Sequence, residues 1–282
     1  MRLKLIVSLS TKWKAQLDRY EFTSAFQDLL PVDEVQSFCT YDFVITEQVA
    51  KQGTFILPSD RYSRISVVVQ AGVTVQFVDA PVVGDSARIL SVTLHQNAQV
   101  AYNAVQDMHL YKRYEKLTVT VHEHATFTHY EKHQEAAVTD KEYTYLLAGM
   151  GATVEYRGRI QLQGDQCHTL RCTQLHTAPH TTSTVDVKVV AQDAAQSIYE
   201  GAIVVQKQAV HAVAHQTHKA LLLGKKAQVR SVPTLEVATN KVQCGHGSAI
   251  APLDESYFFY GAMRGIPRAS LQLLVVQGFL EF

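Results

Sequence analysis

From about residue 54 the chain alternates apolar and polar positions in short runs: ISVVVQ, VTVQFVD, LTVTVHEHATFTH, ATVEYRGRIQLQ, TSTVDVKVV and SIYEGAIVV. A period of two is that of a strand with one buried face. Within 118–130, Val119, Val121, Ala125 and Phe127 take one side, and Thr118, Thr120, His122, His124, Thr126 and Thr128 take the other. Val185, Val187 and Val189 extend the inward set. A small residue followed by a strand also recurs. With Val73, Ala98, Ala125, Ala152, Ala195, Ala209 and Ala227 as anchors, the steps are 25, 27 and 27, then 43, 14 and 18, so the register drifts. Repeats of this size that are nearly all strand predict a solenoid, each coil burying its inner face against the next. Asn-Gly and Asp-Gly hairpin turns are absent, which favours a parallel β-helix over an antiparallel sandwich.

The ends have a different texture. Trp13, Leu17, Tyr20, Ala25 and Phe26 follow helical spacing until Pro31 breaks it. After residue 252, LDESYFFYGAMRG predicts a helix with Asp254 as N-cap and Gly265 near its end. Pro267 then opens a second helix, RASLQLLVVQGFL. Three parts follow: a mixed or helical segment over 1–53, a β-helix core over 54–252, and a helical pair over 253–282.

Composition narrows the function classes. The 282 residues carry a formal net charge of zero, which gives no electrostatic reason to expect nucleic acid or an anionic membrane as partner. No apolar run approaches the roughly 18–20 residues of a spanning helix. The start, MRLKLIVSLSTKW, reads as structure and not as a signal peptide. Four cysteines, Cys39, Cys167, Cys172 and Cys244, are too few for a disulfide framework; reduced thiols and a cytoplasmic setting are expected. No catalytic constellation appears. LLLGKKAQ lacks both the first glycine and the Ser/Thr of a phosphate loop, and no G-x-S-x-G elbow occurs. Glu200, Glu236, Asp254 and Glu255 are not paired as general acid and base. The chain is therefore expected not to be an enzyme, and any ATP must be bound by another chain.

Thirteen histidines make metal binding worth weighing. In HEHATFTHYEKH, which holds His122, His124, His129 and His133, the first two share an outward strand face about 7 Å apart, and a solvated face is preferred to a metal site. Cys167, His168 and Cys172 in CHTLRC lack zinc-ribbon spacing and read as core cysteines around a strand. His176 and His180, with His211, His215 and His218, are expected along one solenoid edge, His211 and His215 on one face and His218 on the other. Cys244 and His246, in VQCGHGSAI, stand two apart between glycines. The residues alone fit a tight strand-to-turn corner, and two ligands fall short of a closed structural metal site.

SIYEGAIVV (197–205), HQTHKALLLG (215–224), VPTLEVATNKVQCGHGSAI (232–250), DESYFFYGAMRGIP (254–267) and the terminal GFLEF resemble the core domain of the SufB/SufD family, scaffold subunits of the Suf iron–sulfur cluster assembly machinery. The resemblance covers roughly 110 residues from APHTTST onward. It implies a right-handed β-helix, pairing with a SufB-like subunit or as a homodimer, and a SufC-like ATPase bound through the C-terminal helices. It also implies that Cys244 and His246 form a half-site at the subunit interface, with His246 as a metal ligand toward a transient iron–sulfur cluster or iron. Thr217 follows Gln216 where the SufB branch carries a scaffold cysteine, and Gly245-His246-Gly247 replaces an acidic Glu-His-Glu, so the SufD-like branch is the closer. A β-helix enzyme acting on polysaccharide is the contrasting reading; it wants clustered acids and exposed aromatics along a groove, and the chain has one tryptophan.

Overall fold

The computed structural model describes residues 38–51, 53–80, 82–107, 111–134 and 137–281. The helix expected near Trp13 to Phe26 lies outside the described residues.

The strands run β1 (Cys39–Ile45), β2 (Phe55–Leu57), β3 (Tyr62–Val69), β4 (Thr74–Asp79), β5 (Ser86–Leu94), β6 (Gln99–Asp107), β7 (Lys112–Val121) and β8 (Thr126–Gln134). They continue as β9 (Val138–Leu147), β10 (Thr153–Leu162), β11 (Cys167–His176), β12 (Thr182–Ala191), β13 (Gln196–Val205), β14 (Val213–Leu222), β15 (Gln228–Val237) and β16 (Gln243–Pro252). Among the described residues three helices accompany them: α1 (Glu47–Ala50) between β1 and β2, then α2 (Glu255–Met263) and α3 (Arg268–Phe279) after β16. Odd strands form one eight-stranded sheet and even strands the other, each in sequential order. Every strand pairing is parallel, so each coil contributes one strand to each sheet: a parallel β-solenoid. The sheet reaches upstream of the boundary expected near residue 54, because β1 already pairs with β3 from Cys39↔Ser63 to Ile45↔Val69.

Alternation decides the core. Val119, Val121, Phe127, Val185, Val187 and Val189 are fully enclosed, as the two-residue period requires. The largest enclosed side chains are aromatic: Tyr102, Tyr143, Tyr145, Tyr156, Tyr199, Phe77 and Phe127.

The repeat does not drift. Hydrogen bonds from Gln99 N to Val73 O, Thr126 N to Ala98 O, Thr153 N to Ala125 O, Thr182 N to Ala152 O, Val213 N to Thr181 O and Gln243 N to Ala212 O mark one continuous corner column. Its members, Val73, Ala98, Ala125, Ala152, Thr181 and Ala212, are 25, 27, 27, 29 and 31 residues apart. Ala195 and Ala227 belong to the opposite corner, where Gln228 N bonds to Ala195 O. Thr181 occupies the place of an alanine, which is why an alanine-based reading jumps corners.

Before that column each coil makes the same turn. Gly72, Asn97, His124, Gly151, His180 and His211 have φ of 73°, 59°, 53°, 69°, 57° and 60°. Each donates its amide N–H to the next coil, to Gln96, Glu123, Met150, Pro179, Val210 and Lys241. Left-handed backbone favours glycine and tolerates Asn and His better than β-branched residues. His122 and His124 therefore do not share a strand face: β7 ends at Val121, and both lie in the turn before β8. Stacked coils stack their turn residues, His95 on His122 at 5.7 Å and His180 on His211 at 4.9 Å between ring centres.

Candidate functional site

β15 and β16 are the last strands of their sheets, each hydrogen-bonded on one side to β13 or β14. The inward-facing row of a strand is normally covered by the coils around it. Here no further coil follows among the described residues, so the row stays open. Leu235 and Val237 on β15 are 41% and 38% exposed, and Ile250 on β16 is 40% exposed.

Cys244 and His246 lie in this row. β16 is extended through both, so the glycines flank strand positions and not a turn. Cys244 is in register with Ala214, His246 with Gln216 and Ser248 with His218. Ala214, Gln216 and His218 are buried, so the same parity on β16 would be interior if another coil covered it. Cys244 is half-buried, and burial pushes its thiol pKa up, which makes a free thiolate less favourable. His246 is exposed. Two residues along a strand are about 7 Å apart, too far for the imidazole to activate the thiol as a nucleophile. Among the described residues no group of three or more His, Cys, Asp or Glu side chains is placed to hold a metal. The pair can supply at most part of a coordination shell.

The other sequence candidates scatter. Cys172 is buried in β11, but Cys167 points outward, its thiol 3.6 Å from Asp165 O, so only one of the two is a core cysteine. His168 and His176 face the interior. His180 and His211 form the exposed corner stack, while His215 is exposed on β14 and His218 buried. The single edge of histidines divides into a turn pair outside and two core imidazoles within. His133 falls in β8. His218 stacks on Tyr199, ring centres 4.5 Å apart and 8° between planes, and neither ring nitrogen has a hydrogen-bond partner.

A buried ionic column runs through the middle coils, missed by a reading that treats inward positions as apolar. Asp79, Arg88, Arg113, Glu115, Glu131 and Lys141 are all enclosed. Lys141 pairs with Glu131, which also accepts from Tyr143 Oη at 2.9 Å and from Tyr156 Oη. Arg113 meets Glu115 at 2.9 Å. Polar residues at inward parity, such as Asp79 closing VTVQFVD, were the available signal.

The helical pair forms as the sequence predicts. The Asp254 carboxylate accepts from Ser256 N at 2.8 Å, and Gly265 has φ 71° beyond α2. Arg268 forks onto Glu255 at 2.7 and 2.9 Å and lies over the Phe258 ring at 3.6 Å. Gly261 packs on Leu271. This leaves Tyr257, Phe259, Tyr260, Met263, Leu273 and Leu274 exposed, Phe259 to 71%.

Residues 54–279 match the family model described as SUF system FeS cluster assembly, SufBD core domain. The chain belongs to the SufBD family. Its relatives include SufBD family iron–sulfur cluster assembly proteins of Staphylococcus saprophyticus, Staphylococcus epidermidis and Staphylococcus aureus, each 24% identical over 234 residues, 78% of this chain and 49% of the relative. The chain thus spans about half the length of the curated relatives it matches. The SufBD match takes in the open coil and both C-terminal helices, and no helix among the described residues is long and apolar enough to cross a membrane.

Proposed function

We propose that this chain is a SufD-like, non-catalytic scaffold subunit that pairs with a SufB-like partner through its terminal coil and holds a SufC-like ATPase through α2 and α3. The carrying observation is the uncovered core-facing row of β15 and β16, in which Leu235, Val237 and Ile250 stand exposed beside Cys244 and His246. An apolar interior row left open at a sheet edge favours pairing with another chain. The branch rests on the resemblance: Thr217 stands after Gln216, and glycines flank His246. His246, with Cys244 beside it, supplies a partial coordination set toward an iron–sulfur cluster or iron held mainly by the partner; the cluster is cargo and not a resident cofactor. The exposed aromatics of α2 offer the ATPase an apolar surface. The setting is cytoplasmic, with the thiols reduced.

The test is anaerobic co-expression with SufB-like and SufC-like proteins. The expected result is a complex that contains all three, with Phe259→Asp releasing the ATPase and keeping the SufB-like subunit. His246→Ala assembles normally but matures client proteins poorly, and Cys244→Ser does less harm. Normal maturation with His246→Ala removes the half-site. A homodimer that ignores the SufB-like protein removes the heteromeric reading.

A further inference from the structure

Inside the last three coils a single file of buried polar side chains runs toward the open end. Thr181, His176, Ser183 and Gln174 are fully enclosed and Gln216 is 2% exposed. Thr181 Oγ1 is 2.7 Å from His176 Nδ1, and His176 Nε2 is 2.8 Å from Ser183 Oγ. Ser183 Oγ donates to Gln174 Oε1 at 2.5 Å, and Gln174 Nε2 donates to Gln216 Oε1 at 3.2 Å.

Such a file has two self-consistent senses, because each hydroxyl has one proton and a neutral imidazole one N–H. Burial pushes the His176 pKa down to about 4, so the ring is neutral near pH 7. Ser183 gives its proton to Gln174, so it must accept from His176 Nε2–H. Nδ1 is then the acceptor facing Thr181 Oγ1 at 2.7 Å, whose one proton is shared with the Ala178 carbonyl at 3.1 Å. From His176 onward every bond points the same way, and the last group, the Gln216 amide nitrogen, has its donors free of the file. Packing holds that amide in place: a Cβ on Gly201 would lie 2.1 Å from Gln216 Nε2, so only glycine leaves the room. Gln216 is in register with His246 on the uncovered strand.

We propose that Gln216 is a positioning residue of the terminal coil, its N–H donors set by the buried file to receive an anionic sulfur acceptor, sulfide or thiolate, at the Cys244–His246 row. This deepens the half-site reading and rests on it for the identity of the acceptor. Donors fixed in advance around a ligand orient it at little reorganisation cost.

Gln216→Glu separates this from a structural role. Its carboxylate still accepts from Gln174, so the file survives, but the outward donor becomes an acceptor. In the reconstituted complex Gln216→Glu and Gln216→Leu both lower cluster retention about tenfold. Co²⁺ alone, titrated into the full chain, binds about tenfold more tightly to Gln216→Glu than to wild type, and Gln216→Leu shows no gain. ¹⁵N NMR of the full chain finds His176 protonated on Nε2. Protonation on Nδ1, or a Gln216→Glu variant that retains cluster and binds Co²⁺ as wild type does, overturns the proposal. If wild-type chain supports no assembly at all, the half-site reading has failed, and the His176 tautomer with the Co²⁺ titration still decides the direction of the file.

Discussion

Arg88 on β5 forks onto the carboxylate of Asp79 on β4 inside the closed solenoid, Nη1 to Oδ1 at 2.6 Å and Nη2 to Oδ2 at 2.7 Å. Tyr102 Oη donates to Oδ1 at 2.9 Å, and Arg113 lies 3.8 Å from Oδ2. Burial alone would raise the Asp79 pKa, but Arg88 and then Arg113 more than offset it and hold it down to about 2. Removing one member of a buried pair strands the other charge. Asp79→Asn is expected to cost about 3–5 kcal/mol in chemical denaturation. Because the folded pKa lies below the ordinary value, the pair's contribution is complete above about pH 4 and is lost as pH falls toward 2, amounting to about 2–3 kcal/mol.

Acid weakens the fold earlier than that through histidine. Burial pushes His129 down to about 4, its Nδ1 lying 2.9 Å from Tyr145 Oη. The unfolded chain takes up this proton below about pH 6.5 and the folded chain does not. Stability from this group is whole above 6.5 and falls as pH drops to 4, by about 3 kcal/mol. His176 and His218 shift the same way. Unfolding free energies measured between pH 7 and 4.5 should fall steeply, with a shallower slope in His129→Gln.

Gly149 marks where adjacent turns touch. A Cβ there would lie 2.0 Å from Glu123 N and 2.3 Å from the His122 carbonyl carbon, both backbone. Gly149→Ala should cost at least about 3 kcal/mol. Gly164, at φ 63° with nothing within 4 Å of its added Cβ, bears only backbone strain, about 1–2 kcal/mol for alanine. Equal melting temperatures for the two variants would contradict this corner packing.

Val187 faces the centre of the solenoid and is fully enclosed. Val187→Asp buries an unpaired charge and should cost about 3–5 kcal/mol, read as loss of the cooperative unfolding transition or of soluble protein.

His218 carries two buried nitrogens without partners while its ring stacks on Tyr199. His218→Phe keeps the stack and removes the unmet polar groups, so it should gain about 1 kcal/mol. A destabilised variant would mean that the imidazole nitrogens are satisfied in solution.

The sequence by itself determined the solenoid, its apolar inward residues such as Val119, Phe127 and Val187, and the last two helices with their cap at Asp254 and break at Pro267, since each is a local pattern of period two or 3.6 or a backbone stop signal. It also placed Cys244 and His246 side by side. Tertiary structure alone decided the rest, because the bonds that stack the coils join residues some 22 to 32 positions apart. Only that stacking puts Thr181 in the alanine column, bends His124 and His211 into left-handed turns, and brings β1 into the sheet ahead of residue 54. It closes Arg88 onto Asp79 across the interior, where charge at an inward position is tolerated because the opposite sheet brings its partner. Nothing local tells β16 from β14, yet one inward row is sealed and the other open, because among the described residues no coil follows β16 in its sheet.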